Sequence, residues 1–197
     1  MGITCRYQTN RKRCSTARRM QAIASRPITL EPELGPDYGA LGEWARENLV
    51  KLLVFAHPDD DAETRAAQEE VVKRLWTASR RNGLEFLLEL IPSKVGQVDE
   101  TTTPTLIQQF YEIGVYPDWW KLEPFKTDRA WSNAVAAIER NDPRTRGIVV
   151  LGLDAPEKEL AASFAMAAKQ PLVKGFAVGR TIFGDAARAW MKGEMSD

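Results

Sequence analysis

From Ile28 onward the chain repeats one unit, a short apolar strand followed by a segment with apolar residues at helical spacing. The strand candidates are Ile28 to Glu33, Val50 to His57, Glu85 to Ile91, Asp118 to Glu123, Gly147 to Leu153 and Val173 to Val178, all rich in Val, Ile, Leu or Phe. Between or after them lie the helix candidates Asp60 to Asn82, Thr103 to Ile113, Ala130 to Asn141, Pro156 to Lys169 and Asp185 to Lys192. Strands that alternate with helices run parallel and are joined by right-handed crossovers, which leaves an α/β barrel or a doubly wound sheet. No strand is followed by a P-loop or by a Gly-x-Gly-x-x-Gly turn, so the barrel is preferred. Helix punctuation agrees. Gly83 and Gly114 stand where a left-handed residue ends a helix, and Asp154 with Glu157 has capping-box spacing.

Pro117 and Pro124 bracket a strand, Asp118-Trp119-Trp120-Lys121-Leu122-Glu123, with a lysine in its middle. Alternation puts Trp119, Lys121 and Glu123 on one face and Trp120 and Leu122 on the other. An ammonium on the inner face of a sheet loses hydration, so the neutral, nucleophilic amine that Schiff-base chemistry needs becomes accessible near pH 7. The structural alternative is a half-exposed lysine or one paired with Glu123. Two other strands are interrupted in the same way, by Lys51 in Val50 to Phe55 and by Glu89 in Phe86 to Ile91. Unpaired buried charge is costly, so the three are expected to share one site with Glu89 between two ammonium groups, as a catalytic centre or as a structural salt bridge.

In a barrel the chemistry sits at the carboxyl ends of the strands, and the loops after the last two strands commonly hold phosphate. Here those strands end in Leu151-Gly152-Leu153-Asp154 and Val178-Gly179-Arg180. Gly152 and Gly179 can bring backbone N–H groups close to an anion and Arg180 supplies a forked cation. Read structurally, the same residues are turns and a helix-flanking charge. His57, in Ala56-His57-Pro58-Asp59-Asp60, can approach substrate at a strand end, while Asp59 and Asp60 can cap the next helix. Lys94 is the available guess for a substrate carboxylate, against a plain solvated loop residue. The same His-Pro-Asp-Asp run resembles the metal-binding signature of zinc deacetylases, but the chain's single histidine gives it no second imidazole, and no metal or cofactor is expected.

Composition is that of a soluble protein of one domain, with no apolar run long enough to cross a bilayer. Both cysteines, Cys5 and Cys14, lie near the N-terminus, so the body has no disulfide framework and suits a reducing cytoplasm. Residues 1 to 27 hold seven Arg/Lys and no acid, leaving residues 28 to 197 with twenty basic and twenty-seven acidic residues. Residues 1–24 therefore read as a basic leader, flexible or wrongly delimited, before a domain at 25–197. A nucleic-acid arm or a transit sequence is the alternative, weakened because the acidic body offers no basic surface to extend it. Neither a nucleic-acid nor a membrane partner is expected.

Lys51 in Val-Lys-Leu-Leu-Val-Phe, Glu89 in Phe-Leu-Leu-Glu-Leu, Lys121 in Trp-Trp-Lys-Leu-Glu-Pro and the Gly179-Arg180 pair resemble, in order and strand position, the class I aldolases of the tagatose-bisphosphate type. The runs from Ser25-Arg26-Pro27 through Ala56 to Asp60, Pro117 to Pro124, Leu151 to Pro156 and Val173 to Thr181 are more closely similar to the barrel domain at the carboxyl end of bacterial 5-dehydro-2-deoxygluconokinase fusions. That domain is regarded as the 2-deoxy-5-keto-gluconate 6-phosphate aldolase of myo-inositol breakdown. The resemblance implies a (β/α)8 TIM barrel, of which six strands are visible here, so the chain is expected to be the carboxyl part of a longer protein lacking the first strands. It implies a carbon–carbon lyase in which Lys121 forms the Schiff base, Glu89 and Lys51 assist, and Gly152, Gly179 and Arg180 hold the phosphate of a sugar acid. It further implies a cytoplasmic enzyme needing no cofactor, expected as a homo-oligomer, with a sugar-kinase domain in cis as a possible partner. The rival expectation is a non-catalytic barrel fragment that serves assembly with the kinase.

Overall fold

The structure, a computed structural model, describes residues 6–8, 14–19, 25–30, 34–35, 37–152, 157–177 and 180–194. Its strands are β1 (Arg6–Gln8), β2 (Cys14–Arg19), β3 (Asn48–Val54), β4 (Glu85–Leu90), β5 (Trp119–Leu122), β6 (Gly147–Leu151) and β7 (Val173–Ala177). Its α-helices are α1 (Ala62–Arg81), α2 (Thr102–Glu112), α3 (Asp128–Asn141), α4 (Glu157–Ala167) and α5 (Arg180–Met191). The seven strands form one sheet in chain order; β1 pairs antiparallel with β2, and every later pairing is parallel. Residues 1–24, read above as a basic leader, thus contribute two strands.

Five parallel strands, β3 to β7, alternate with helices. Because each crossover is right-handed and each strand is laid beside its predecessor, the helices must collect on one face of the sheet. They do: Val50, Leu52, Phe86, Leu88, Trp120, Leu122, Ile148 and Val150 share a core with Val72 and Leu75 of α1, Leu106 and Phe110 of α2, and Trp131 and Ile138 of α3. The opposite face has its own small apolar cluster of Leu49, Leu87, Trp119 and Val149, with Ala177 against it. A helix layer on one face and a second, inward core on the other is the arrangement of part of a (β/α) barrel, whereas a doubly wound sheet carries helices on both faces. Among the described residues no pairing joins β7 back to β1.

The expected helices and five of the six expected strands form, with ends shifted by a few residues. Ile28 to Glu33 is the exception, since residues 25–30 are irregular apart from a single bridge at Leu30 and residues 31–33 lie outside the described part. The reason is local. The Thr29 N–H is taken by Ser25 Oγ at 2.6 Å, which removes that donor from a ladder at this point. Ile28 is nonetheless buried, and its apolar character reflects packing rather than strand pairing. Asp61, rather than Asp59 or Asp60, caps α1 by accepting from the Thr64 N–H at 2.8 Å. Asp154 of the expected capping box lies outside the described residues.

Gly83 and Gly114 follow α1 and α2 with φ of 66° and 83°, the left-handed C-terminal conformation expected of them. Gly147 opens β6 at φ 136°, and a Cβ there would stand 2.5 Å from the Leu172 carbonyl oxygen, which accepts the Ile148 N–H at 2.9 Å. A side chain at Gly147 must therefore disrupt the start of the β6–β7 pairing. Gly147→Ala is expected to destabilise by about 2 kcal/mol or more, against about 1 kcal/mol for Gly114→Ala, which meets nothing within 4 Å. Urea midpoints of the two variants check the order.

Candidate active site

The inward face of the sheet carries the site. Parallel register sets Glu89 of β4 directly beside Lys121 of β5, and sets Lys51 of β3 beside Leu87, one alternation before Glu89. Leu87 and Trp119, level with Lys51 and one alternation before Glu89 and Lys121, form an apolar layer beside them, and the Trp119 indole donates to Glu85 Oε2 at 2.9 Å. The three charged side chains converge. Lys121 Nζ lies 2.7 Å from Glu89 Oε1, and Lys51 Nζ pairs with Glu89 Oε2. Each carboxylate oxygen thus faces a different ammonium, which offsets the desolvation of a side chain only 6% exposed. Lys51 and Lys121 are 16% and 13% exposed, sunk but reachable from the open side of the sheet.

Burial pushes the Glu89 carboxyl up, but the neighbouring Lys51 and Lys121 ammoniums outweigh it and hold the carboxyl below its ordinary range. Glu89 is therefore ionised at neutral pH, and a proton leaving Lys121 has an acceptor at hydrogen-bond distance.

Glu123, weighed above as a partner of Lys121, is engaged elsewhere. It accepts from the Ser93 N–H at 3.2 Å and from the Ser93 hydroxyl, tying the end of β5 to the short 3-10 turn Pro92–Lys94 after β4. Burial pushes its carboxyl up, partly offset by the Ser93 bonds and by the Lys94 ammonium. This couple was not foreseen: it depends on how the β4 loop folds back, and the strand pattern carries no signal for it.

Of the other expected site residues, Gly152 is buried just past β6. Gly179 lies outside the described residues, and Arg180 begins α5 with its side chain outside the described part. His57 follows β3 and is nearly buried, with Nε2 2.8 Å from the Gln97 carbonyl and Nδ1 accepting from the Asp59 N–H at 3.3 Å. Its ring bonds go to the loop backbone and not to the Lys–Glu–Lys cluster. Asp60 is buried beside it, accepts the His57 N–H at 3.1 Å and pairs with Arg26. Among the described residues no three His, Cys, Asp or Glu side chains converge to hold a metal ion, and no helix is long and apolar enough to cross a membrane.

A shallow cleft lies at the opposite, N-terminal ends of the strands, lined by Arg46, Arg80, Glu85, Asp118 and Arg146. Its charges are largely paired with one another: Arg146 lies 2.7 Å from Glu85, and Asp118 pairs with Arg80 and accepts the Phe86 N–H at 2.7 Å.

The family described as "Uncharacterized protein conserved in bacteria (DUF2090)" matches residues 6–197. The chain belongs to DUF2090. No curated protein matches its sequence. Among solved structures, this DUF2090 chain is similar to Cgl0159 from Corynebacterium glutamicum (Brevibacterium flavum), with a TM-score of 0.57 and 18% identity over 84% of this chain and 56% of that one. At that identity the likeness speaks to fold alone. The DUF2090 chain spans little more than half the length of that neighbour.

Proposed function

We propose that this protein is a Schiff-base aldolase acting on a phosphorylated keto sugar acid, 2-deoxy-5-keto-gluconate 6-phosphate, within a (β/α)8 barrel of the class I aldolase type. The observation that carries this reading is the Lys51–Glu89–Lys121 cluster, an amine with its proton acceptor at 2.7 Å on the inward face of parallel strands. The motif resemblance supplies the substrate.

In this reading the Lys121 amine adds to the ketone at carbon 5 of the substrate and water leaves, giving a protonated imine. The hydroxyl on carbon 3 then gives up its proton as the bond between carbons 3 and 4 breaks. The electron pair moves through carbon 4 toward the imine nitrogen, and the aldehyde fragment, malonate semialdehyde, departs. A proton returns to carbon 4, and water hydrolyses the imine to release dihydroxyacetone phosphate and the free amine. Glu89 exchanges protons with Lys121 across their hydrogen bond, while Lys51 balances the Glu89 charge and holds a substrate hydroxyl. Gly152, Gly179 and Arg180 hold the phosphate.

Sodium borohydride added with dihydroxyacetone phosphate tests the covalent step, because reduction of the imine leaves a stable mass increase on one residue, Lys121. No adduct on Lys121 under turnover conditions sinks the mechanism. The phosphate assignment has its own test. A uniformly bound anion affects affinity more than chemistry, so Arg180→Ala is expected to raise KM roughly ten- to a hundredfold while kcat falls much less. Steady-state kinetics check that split.

A second reading is an assembly role beside a kinase domain. It is favoured by Phe176 on β7, which is 58% exposed and stacked on Phe164 with ring centroids 4.6 Å apart. A monodisperse, catalytically inert protein that binds the kinase would support it.

A further inference from the structure

The cleft at the amino ends of the strands, at the opposite end of the sheet from the Lys–Glu–Lys cluster, holds more positive charge than its own acids neutralise. Its walls come from the starts of four neighbouring strands: Arg46 before β3, Arg80 and Gly83 to Glu85 at the entry to β4, Asp118 before β5 and Arg146 before β6. Three long side chains are drawn to one point of it. Arg80 Nη2 donates to the Leu84 carbonyl at 3.0 Å, Arg146 Nη2 lies 2.7 Å from Glu85 Oε1, and a Cβ on Gly83 would meet Arg46 Nη1 at 3.0 Å. Guanidiniums from three separate elements therefore gather about the consecutive residues Gly83, Leu84 and Glu85.

The two carboxylates of the cleft are already committed. Asp118 pairs with Arg80 and accepts the Phe86 N–H, while Glu85 divides its oxygens between Arg146 and the Trp119 indole. Arg46 has no carboxylate partner among the described residues, and its neighbour in sequence, Glu47, makes no ion pair with it. An anion with several oxygens offsets this excess charge and accepts N–H groups that the exposed Arg46 and the partly exposed Arg80 and Arg146 turn to solvent. The cleft has a volume of about 320 Å³, enough for a small molecule, and the described residues that line it include no aromatic ring for a base to stack on. Forked donors arriving from three directions suit a tetrahedral oxyanion.

We propose that this cleft binds a small phosphate monoester through Arg46, Arg80 and Arg146, at a site separate from the one at Lys121. The proposal stands apart from the aldolase reading, and its test keeps the two distinct. Calorimetric titration of the full chain with inorganic phosphate at low salt is expected to show binding that Arg46→Ala weakens roughly ten- to a hundredfold and that added sodium chloride also weakens. Arg46→Lys keeps the charge without the fork and should fall between parent and alanine. Arg144, an exposed arginine just before Arg146 that does not line the cleft, is the control, and Arg144→Ala should bind as the parent does. Arg180→Ala, which weakens phosphate binding at the other end in the aldolase reading, should leave this binding in place. Urea melts of each variant are run beside the titrations. If Arg46 serves only to offset the carbonyl end of α1, Arg46→Ala will lower the urea midpoint and leave phosphate affinity unchanged, which overturns the proposal. Equal weakening by Arg46→Ala and Arg144→Ala overturns it as well, because phosphate then answers to the general charge of that end. So does a parent that binds no phosphate, or one whose phosphate binding is lost altogether in Arg180→Ala.

Discussion

Lys121→Ala is expected to abolish borohydride trapping and turnover together. No other group in the cluster can form the covalent intermediate from the same position: Lys51 belongs to β3, two strands away, and is paired with the far oxygen of Glu89. Lys121→Arg keeps the charge and can keep a bond to Glu89, but a guanidinium does not give up its proton in a protein and cannot form the imine. Both variants should therefore fall to background, while the arginine keeps the parent's unfolding free energy to within about 1 kcal/mol. Intact-mass spectra after reduction, read beside a denaturant melt, separate loss of chemistry from loss of fold. An adduct that persists in Lys121→Ala would falsify the assignment of the nucleophile.

Removing Glu89 should have the largest effect on stability. In Glu89→Ala two sunken ammoniums lose their shared counter-ion, and breaking a buried pair by deleting one partner costs about 3–5 kcal/mol. For a chain of this size that corresponds to a fall in Tm on the order of 10 °C. Glu89→Gln keeps the shape and an acceptor oxygen and should lose less, while still losing turnover because the amide cannot take a proton. The pH dependence has a definite sign. The Glu89 carboxyl is held below its ordinary value in the folded state, so its contribution is present above the unfolded value, about 4.3, and is lost as pH falls through the folded value. Parent and Glu89→Gln should therefore converge in stability at acid pH and separate at neutral pH, as urea melts at the two pH values would show. Curves that stay parallel would mean that the carboxylate adds nothing as a charge.

The three charged residues were legible in the sequence for a simple reason. Lys51, Glu89 and Lys121 each break a strand whose remaining residues are apolar, and a charge in such a place must find partners. Their pairing followed from the parallel strand order, which the alternation of strands and helices already implied. The couple of Ser93 with Glu123 was not legible, because Glu123 stands on the same alternating face as Lys121 and only the fold of the β4 loop decides which of them it meets. His57 was likewise open in sequence. The loop backbone at Gln97 engages its ring, and Gly96 leaves room for it, with a Cβ position only 3.1 Å from the imidazole.

What the sequence by itself determined is therefore the unit and its inner chemistry. Five strands with apolar outer faces, five helices with one apolar stripe each, and three charges on the inward face are consequences of residue period and of the cost of burying charge. What only the tertiary structure decided lies where backbone pairing acts without an apolar pattern. Cys14–Arg19 joins the sheet beside β3 although its residues are mostly small, polar or basic, since a parallel ladder is made by main-chain groups that every sequence carries. Ile28 to Glu33 has the apolar content of a strand but forms only a single bridge at Leu30 over its described part, where the Thr29 N–H is already taken by Ser25 Oγ. Side-chain period reports which face is buried. Only the assembled chain decides which backbone groups are left free to pair.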